Sequence, residues 1–278
     1  MFVFKKKTLK LAALSVFSLL LTACSNEAVT SNSTGLWDRV IVYNLSQFII
    51  WLSEVFGGNY GVGIIIFTIL TRILLLPLMH FQYKSMRATA VLQPEIKKLR
   101  EIYSARDRET QEKLQSEMSA LYKREGVNQY AGCLPLVIQL PIMIALYQAI
   151  GRTEILKSGH FLWADLAQPD PYFILPVLAA ALTLATSWLS LQMQDNGTAS
   201  KVTMYLMPII ILFSALSLPS VLSLYWVVGN VFTVLQTLVM NNPFKFKEEQ
   251  HAIAQAKKQK ERALEKAKVS KKKYAKRK

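Results

Sequence analysis

The apolar residues of this chain fall in long blocks, and this arrangement constrains the fold more than any other feature. The blocks 60–79, 134–151 and 173–191 are each close to the roughly 20 residues that a helix needs to cross a bilayer. A fourth block, 201–240, is about twice that length, and Leu218-Pro219-Ser220 divides it into a short span, 202–217, and a longer one, 222–240. The sequence therefore predicts an all-α polytopic membrane protein with five transmembrane helices.

The distribution of charge predicts the orientation. The chain carries 33 Lys and Arg against 18 Asp and Glu. Segments 80–132 and 241–278 hold ten and fourteen of the cations, whereas 24–59 and 152–172 hold one and two. Positive residues mark cytoplasmic segments, so we expect the N-terminus outside and the C-terminus inside. The connecting segments are an external loop at 152–172, a cytoplasmic loop at 192–201, an external turn at 218–221 and a basic cytoplasmic tail at 241–278.

The N-terminus has the pattern of an export signal. Four lysines precede an apolar run at 11–21 that is too short to span a bilayer. The run ends in Leu21-Thr22-Ala23-Cys24, which resembles the lipobox of bacterial lipoproteins. The resemblance implies removal of residues 1–23 and acylation of Cys24, for example by palmitate, at the outer face of the bacterial cell membrane. The alternative is an ordinary buried cysteine beside a signal anchor.

Residues 24–59 form the predicted external segment, a polar linker followed by an amphipathic helix. In 36–56 the polar residues recur at intervals of seven, which places them on one helical stripe opposite an apolar face. This pattern favours a helix that lies in the outer membrane interface. A sixth span is the alternative, and Asp38, Arg39 and Glu54 disfavour it.

Residues 80–133 are predicted to form a cytoplasmic helical hairpin. Leu92, Ile96 and Leu99 share one helical face, a second such pattern includes Met118, and Gly126 is a plausible C-cap. The alternative is a solvated linker, which the helical spacing makes less favourable.

Arg72 is the only charged residue within any predicted span. A central arginine costs on the order of 3 kcal/mol on insertion scales, and the other four spans contain no Asp or Glu to pair with it. One alternative is that its side chain extends to the headgroups. Otherwise the guanidinium faces a hydrophilic groove within the bundle. Candidate groove residues from the polar positions of the spans are Thr68, Gln139, Ser187, Trp226, Asn230 and Thr233. Such positions also serve as ordinary interhelical hydrogen-bonding residues.

Other classes of protein fit less well. The histidines His80, His160 and His251 are scattered and Cys133 stands alone, so neither a catalytic nor a metal site is predicted, and we expect no cofactor and no small-molecule substrate. A small transporter or channel with a buried cation is the main rival, although the chain lacks an obvious inverted repeat. A lipoprotein receptor is disfavoured because little of the chain lies outside.

Three short motifs resemble the signature of the YidC/Oxa/Alb3 membrane protein insertases. They are Gly126-Val127-Asn128, Gly132-Cys133-Leu134-Pro135 and Gln139-Leu140-Pro141-Ile142. Arg72, followed by Pro77, resembles that family's groove arginine. The likeness covers about residues 36–245. The lipobox and the lack of a large external domain resemble the Gram-positive type. Gln129-Tyr130 departs from the family, which commonly has Pro after the Asn.

The resemblance implies a function. Arg72 would attract acidic external segments of single- or double-spanning membrane proteins, whose apolar segments then enter lipid beside the third and fifth spans. The implied partners are nascent membrane proteins, the ribosome and the Sec translocon. The tail, with Lys271, Lys272 and Lys273, would contact ribosomal phosphate or anionic lipid. The alternative for the tail is a disordered basic segment that only fixes the topology.

Overall fold

The structure is a computed structural model that describes residues 27–128, 134–193 and 198–275. The prediction of an all-α protein is confirmed, since the two strands, β1 (His160–Phe161) and β2 (Ala164–Asp165), form only a short antiparallel pair. A π-helical segment, Leu36–Tyr43, precedes the first α-helix. The α-helices are α1 (Asn44–Val55), α2 (Tyr60–Leu74), α3 (Leu76–Ile102), α4 (Arg108–Arg124), α5 (Leu134–Arg152), α6 (Glu154–Lys157), α7 (Ile174–Leu191), α8 (Thr198–Ser217), α9 (Ser220–Met240) and α10 (Pro243–Ala275).

The described residues group into two compact units. Among them, the first unit draws on 27–77, 134–184 and 206–232, and the second on 78–128, 185–193, 198–205 and 233–275. The first unit has a core of apolar side chains from α1, α2, α5 and α9, together with the segment around β1 and β2. The small strand pair within predicted loop 152–172 was not anticipated from the sequence, because its ladder involves only two residues on each strand.

A sharp turn separates the helical segment Leu36–Val55, the predicted external helix, from the helix that carries Arg72. Gly57 and Gly58 have φ values of 93° and 79°, which an L side chain rarely adopts. Asn59 then begins α2, its side-chain oxygen accepting a hydrogen bond of 3.2 Å from Val62 N. The segment Leu36–Val55 is bent by 112° from Tyr60–Leu74. This angle favours an interfacial orientation of the external helix when α2 crosses the membrane.

The polar stripe of the external helix is not uniformly exposed, contrary to the amphipathic pattern. Ser46 and Ser53 are fully buried. Their hydroxyls donate to carbonyls one turn earlier in the same helix, at 2.8 and 2.7 Å. Their small size explains the difference, because a serine whose hydroxyl bonds to its own backbone packs as tightly as an alanine. Phe48 and Trp51 are exposed and stacked, with ring centroids 5.8 Å apart, as expected for a lipid-facing side.

The first predicted span, 60–79, contains a break between two helices. Helix α2 ends at Leu74, and α3 starts at Leu76 and continues without a break to Ile102. Pro77 explains the position of the break, because it has no N–H to continue the hydrogen-bond ladder of α2 but is tolerated in the first turn of a new helix. Pro94 lies inside α3. The helix break therefore lies at Leu75, before the predicted end of the span at residue 79, and the extent of the span itself stays a prediction.

The apolar helices differ in length. Among the described residues, Ile174–Leu191 and Ser220–Lys266 are long and apolar enough to cross a membrane, and Leu36–Val55 with Tyr60–Leu74 qualifies as one bent pair. Val137–Arg152 and Lys201–Ser217 are apolar but shorter. All five predicted spans thus correspond to apolar helices, while the number that cross the bilayer stays a prediction.

The second unit contains the predicted helical hairpin. Leu92 and Ile96 of α3 pack with Leu121 of α4 in a small buried cluster. Gly126 ends the hairpin with a φ of 65°, as its position after the second apolar stripe predicts.

The basic tail forms a helix, α10, where the sequence predicts only a charged segment. Its composition of Ala, Lys, Glu and Gln favours helix. The first turn is attached to the hairpin, since Phe246 is buried and the Arg87 guanidinium lies 5.5 Å from its ring centroid. Residues 251–266 are exposed, so the helix leaves the folded part of the unit after its first turns.

An ion pair fastens the external helix to the end of α5, and its loss should destabilise the first unit. Arg152 Nη2 lies 2.6 Å from Asp38 Oδ2, and the two side chains are only 8% and 17% exposed. Removal of one partner from a buried pair leaves an uncompensated charge and typically costs 3–5 kcal/mol. We expect Asp38→Ala to lower the free energy of unfolding by about that amount, measured by thermal unfolding in detergent.

The matched control is the neighbouring Arg39→Ala. Arg39 is exposed, and truncation of its side chain should leave the unfolding temperature within experimental error of wild type. Equal shifts for Asp38→Ala and Arg39→Ala would show that the pair does not hold the helix.

The start of α4 should depend on pH. Asp107 Oδ2 accepts a hydrogen bond of 2.9 Å from Thr110 N, and this bond holds the pKa of Asp107 below its usual value. A lowered pKa means that the cap stabilises the helix above the usual aspartate pKa and is lost as the pH falls through the lower pKa of the folded state. We expect the Thr110 amide NMR signal in nanodiscs to shift in that acidic range.

Two substitutions separate capping from charge. Asp107→Asn should keep the cap and abolish the titration, because Asn caps about as well as Asp, whereas Asp107→Ala should lose the cap at every pH. A Thr110 signal that titrates equally in wild type and in Asp107→Asn would refute the assignment.

Candidate functional site

Arg72 lies in the last turn of α2, and its side chain contacts α9. A Cβ atom built on Gly229 would come within 2.5 Å of Arg72 Nη2 and within 3.3 Å of Cζ and Nε. Arg72 Nε is buried and has no hydrogen-bond partner among the described residues. None of the ion pairs in the described part of the chain includes Arg72. The guanidinium therefore points toward α9, which favours the inward-facing alternative over extension to the headgroups.

The position of Arg72 differs from the mid-span position that a 20-residue helix implies. Because α2 ends at Leu74, Arg72 lies beside the carbonyl end of the helix. The partial negative charge of a helix C-terminus stabilises a nearby cation by about 0.3–1 kcal/mol. The local backbone thus offsets part of the insertion cost without a carboxylate.

Gln139 is held by a residue that the sequence did not single out. Gln139 Nε2 donates a hydrogen bond of 2.8 Å to the Tyr225 hydroxyl, which joins α5 to α9. Tyr225 is 2% exposed and belongs to the core of the first unit. It lies one turn before Gly229, so α9 contacts Gln139 and Arg72 in consecutive turns.

Asn230 joins α9 to α7. Its Nδ2 donates to Thr183 Oγ1 at 2.8 Å, and the Thr183 hydroxyl donates to Ala179 O at 2.7 Å. The polar positions of the third and fifth predicted spans therefore meet at this level. Residues 225–230 of α9 contact three other helices of the first unit, through Gln139, Arg72 and Thr183.

The other candidate residues of the first unit belong to its packing. Thr68 is fully buried and its hydroxyl donates to Ile64 O at 2.7 Å, within its own helix. Trp226 is partly buried and packs against the apolar core. Neither contact is to Arg72.

The remaining candidates lie elsewhere. Ser187 and Thr233 belong to the second unit, where both are partly buried. Cys24 lies outside the described residues. Lys271, Lys272 and Lys273 are part of α10. Within the described ranges, no cluster of three His, Cys, Asp or Glu side chains is placed to hold a metal ion.

Two residues of the site were missed in the sequence, Tyr225 and Gly229. Tyr225 lies beside the polar stripe of the fifth span rather than on it, so helical spacing excluded it. Gly229 did leave a signal, because a glycine inside an apolar helix commonly marks a close approach of two helices.

Comparisons with known proteins identify the family to which the chain belongs. The family model of the 60Kd inner membrane protein matches residues 51–249. "Membrane protein insertase YidC" of Enterococcus faecalis is 52% identical over 269 residues, which cover 96% of this chain and 97% of the relative. "Membrane protein insertase YidC" of Pediococcus pentosaceus is 51% identical over 247 residues, or 88% of each chain. "Membrane protein insertase YidC 2" of Listeria innocua is 49% identical over 268 residues, or 95% of this chain and 93% of the relative.

A solved structure shares the fold. It is described as an active YidC insertase crystal structure with the first transmembrane domain resolved, and it matches with a TM-score of 0.61 and 28% identity. The match covers 85% of this chain and 53% of that chain, so this chain spans about half the length of the solved protein. With the family model, the near full-length relatives and the fold in agreement, the chain belongs to the family of the 60Kd inner membrane protein and the YidC membrane protein insertases.

Proposed function

We propose that this protein, integral to the bacterial cell membrane, inserts other membrane proteins into the lipid bilayer and helps them fold. In this proposal Arg72 attracts the acidic external segment of a client that spans the membrane once or twice. The observation that carries the proposal is a partly buried guanidinium, in an apolar helix, with its Nε unpartnered and with no ion pair in the described part of the chain. Membership of the insertase family supports it.

The positive charge of Arg72 would act at the most costly step of insertion, the passage of the client's acidic segment. An acidic segment must pass through an apolar layer in which an unpaired charge is costly. A guanidinium within the protein offers a charge-assisted hydrogen-bonding partner along the way, and Arg is suited to carboxylates because its planar fork can bind both oxygens. The segment is captured for part of the path and released to the outside.

The apolar segment of the client supplies the driving force. Each buried CH₂ group contributes about 0.8 kcal/mol, so a span partitions into lipid without nucleotide hydrolysis. The membrane potential adds about 2.3 kcal/mol per acidic charge per 100 mV. Exposed apolar side chains of the first unit on α7 and α9, such as Val177, Leu178 and Val231, would guide the segment into lipid.

The membrane arrangement completes the proposal. The N-terminus lies outside with a lipid on Cys24, five helices cross the bilayer, and the hairpin and tail lie in the cytoplasm, where clients arrive. The ribosome, the Sec translocon and anionic lipids are the proposed partners. Charge asymmetry between the segments supports this orientation.

Substitution of Arg72 should separate clients by charge. Two unit charges about 4 Å apart attract by about 1 kcal/mol in water and about 4 kcal/mol at the effective dielectric of a protein surface. Arg72→Ala should therefore reduce insertion of a client with an acidic external segment by about tenfold or more. Arg72→Lys should retain most of the activity. Insertion is measured by protease protection of radiolabelled clients in proteoliposomes.

Two controls accompany this experiment. A client whose acidic residues are changed to the corresponding amides should insert equally well with wild type and Arg72→Ala. Arg39→Ala, which removes an exposed cation from the external helix, should leave both clients unaffected. Normal insertion of the acidic client by Arg72→Ala would remove charge capture from the mechanism.

The tail beyond His251 should bind ribosomes electrostatically. Residues 252–278 hold twelve Lys and Arg and two Glu. A truncation after His251 retains the buried Phe246 and so should leave the fold unchanged. We expect this variant to lose most ribosome co-sedimentation at low salt, and wild-type binding to fall steeply as salt is raised, because phosphate contacts release counterions. Substitution of Lys271, Lys272 and Lys273 by Gln should give an intermediate result, whereas unchanged binding by the truncation would exclude the tail.

A further inference from the structure

We infer that Gly229 is a positioning residue, whose missing side chain keeps the Arg72 guanidinium at the depth at which it meets clients. The inference rests on the proposed role of Arg72. It concerns a residue that touches the guanidinium but has no charge and no side chain of its own.

The space between α9 and the Arg72 guanidinium, in its present position, admits no side chain at position 229. An added Cβ would lie 2.5 Å from Nη2 and 3.3 Å from both Cζ and Nε. These three guanidinium atoms of Arg72 therefore all face position 229 of α9. Gly229 itself is buried. Its absence of a Cβ opens the space into which the end of the Arg72 side chain fits.

A side chain at position 229 would displace the Arg72 guanidinium rather than the helices. The α9 backbone near Gly229 is fixed on both sides, by Tyr225 with Gln139 and by Asn230 with Thr183. Arg72, in contrast, ends in a flexible side chain whose Nε makes no hydrogen bond within the described residues. A methyl group at position 229 should therefore displace the charged end of Arg72 and leave the helix packing in place.

Helix propensity cannot account for a loss of function in Gly229→Ala. Alanine is a better helix former than glycine, so the substitution favours α9 locally. A fall in activity with an unchanged or raised unfolding temperature would indicate displacement of the guanidinium rather than damage to the fold.

The test combines Gly229→Ala with two Arg72 variants in proteoliposomes. We expect Gly229→Ala to lose more than half of the acidic-client insertion that Arg72→Ala loses, and to insert the amide-substituted client normally. In the Arg72→Ala background, Gly229→Ala should cause no further loss, because coupled residues are not additive. In the Arg72→Lys background it should also cause little loss, since lysine has no Nη2 to displace. Gly151→Ala is the matched control, because a Cβ there meets nothing within 4 Å.

A structural readout keeps this inference separable from the proposed function. Proton exchange at Arg72 Nε–H, assigned by its disappearance in Arg72→Lys, is measured by NMR in nanodiscs. We expect faster exchange in Gly229→Ala than in wild type or Gly151→Ala. Unchanged exchange, or equal loss of acidic and neutral clients, would overturn the positioning role. Faster exchange with normal acidic-client insertion would support the positioning role and overturn charge capture by Arg72.

Discussion

The insertion of one guanidinium into an otherwise apolar set of helices is the constraint on which this structure depends. An arginine within the membrane is unfavourable by several kcal/mol unless water, a counter-ion or backbone dipoles compensate it. Here the compensation begins in the backbone, because the break at Leu75 places Arg72 at the carbonyl end of α2. It continues with Gly229, whose lack of a side chain gives the guanidinium room against α9. Neither device neutralises the charge, which in the proposed function stays available to a client.

The polar side chains around Arg72 have a different role from Arg72 itself. Gln139 is bonded to Tyr225, and Asn230 is bonded to Thr183, so their amides hold α5 and α7 against α9. Interhelical hydrogen bonds of this kind contribute modestly to packing within a membrane. Their main effect here is on geometry, because they fix the turn of α9 that contacts the Arg72 guanidinium. The polar stripes thus act as supports for the site.

Local sequence patterns predicted the features that depend on residues close together in the chain. The spacing of Leu92, Ile96 and Leu99 predicted the first helix of the hairpin, and Gly126 was predicted as the C-cap of the second. Arg72 was found from its position, as the only charged residue within any predicted span. The contacts that fix the site were not predictable in this way, because they join residues far apart in the chain: Gln139 and Tyr225 are separated by 86 positions, and Asp38 and Arg152 by 114. Helical periodicity assigns a residue to a face but does not specify the opposing residue.

Arg152 is also buried, and its contacts show how this fold pairs a cation that stabilises the structure. Arg152 is 8% exposed, and both terminal nitrogens of its fork donate to the Asp38 carboxylate, at 2.9 and 2.6 Å. Its Nε donates to Glu27 O at 2.8 Å, so the whole guanidinium is satisfied. Arg72, in the same unit, has an unpartnered Nε and no ion pair with the described residues. The fold can therefore pair a buried arginine completely, yet the residue of α9 that lies against the Arg72 guanidinium is a glycine, which offers no carboxylate. In the proposed function, the carboxylate that pairs with Arg72 belongs to the acidic segment of a client, and a resident carboxylate would compete with it for the guanidinium.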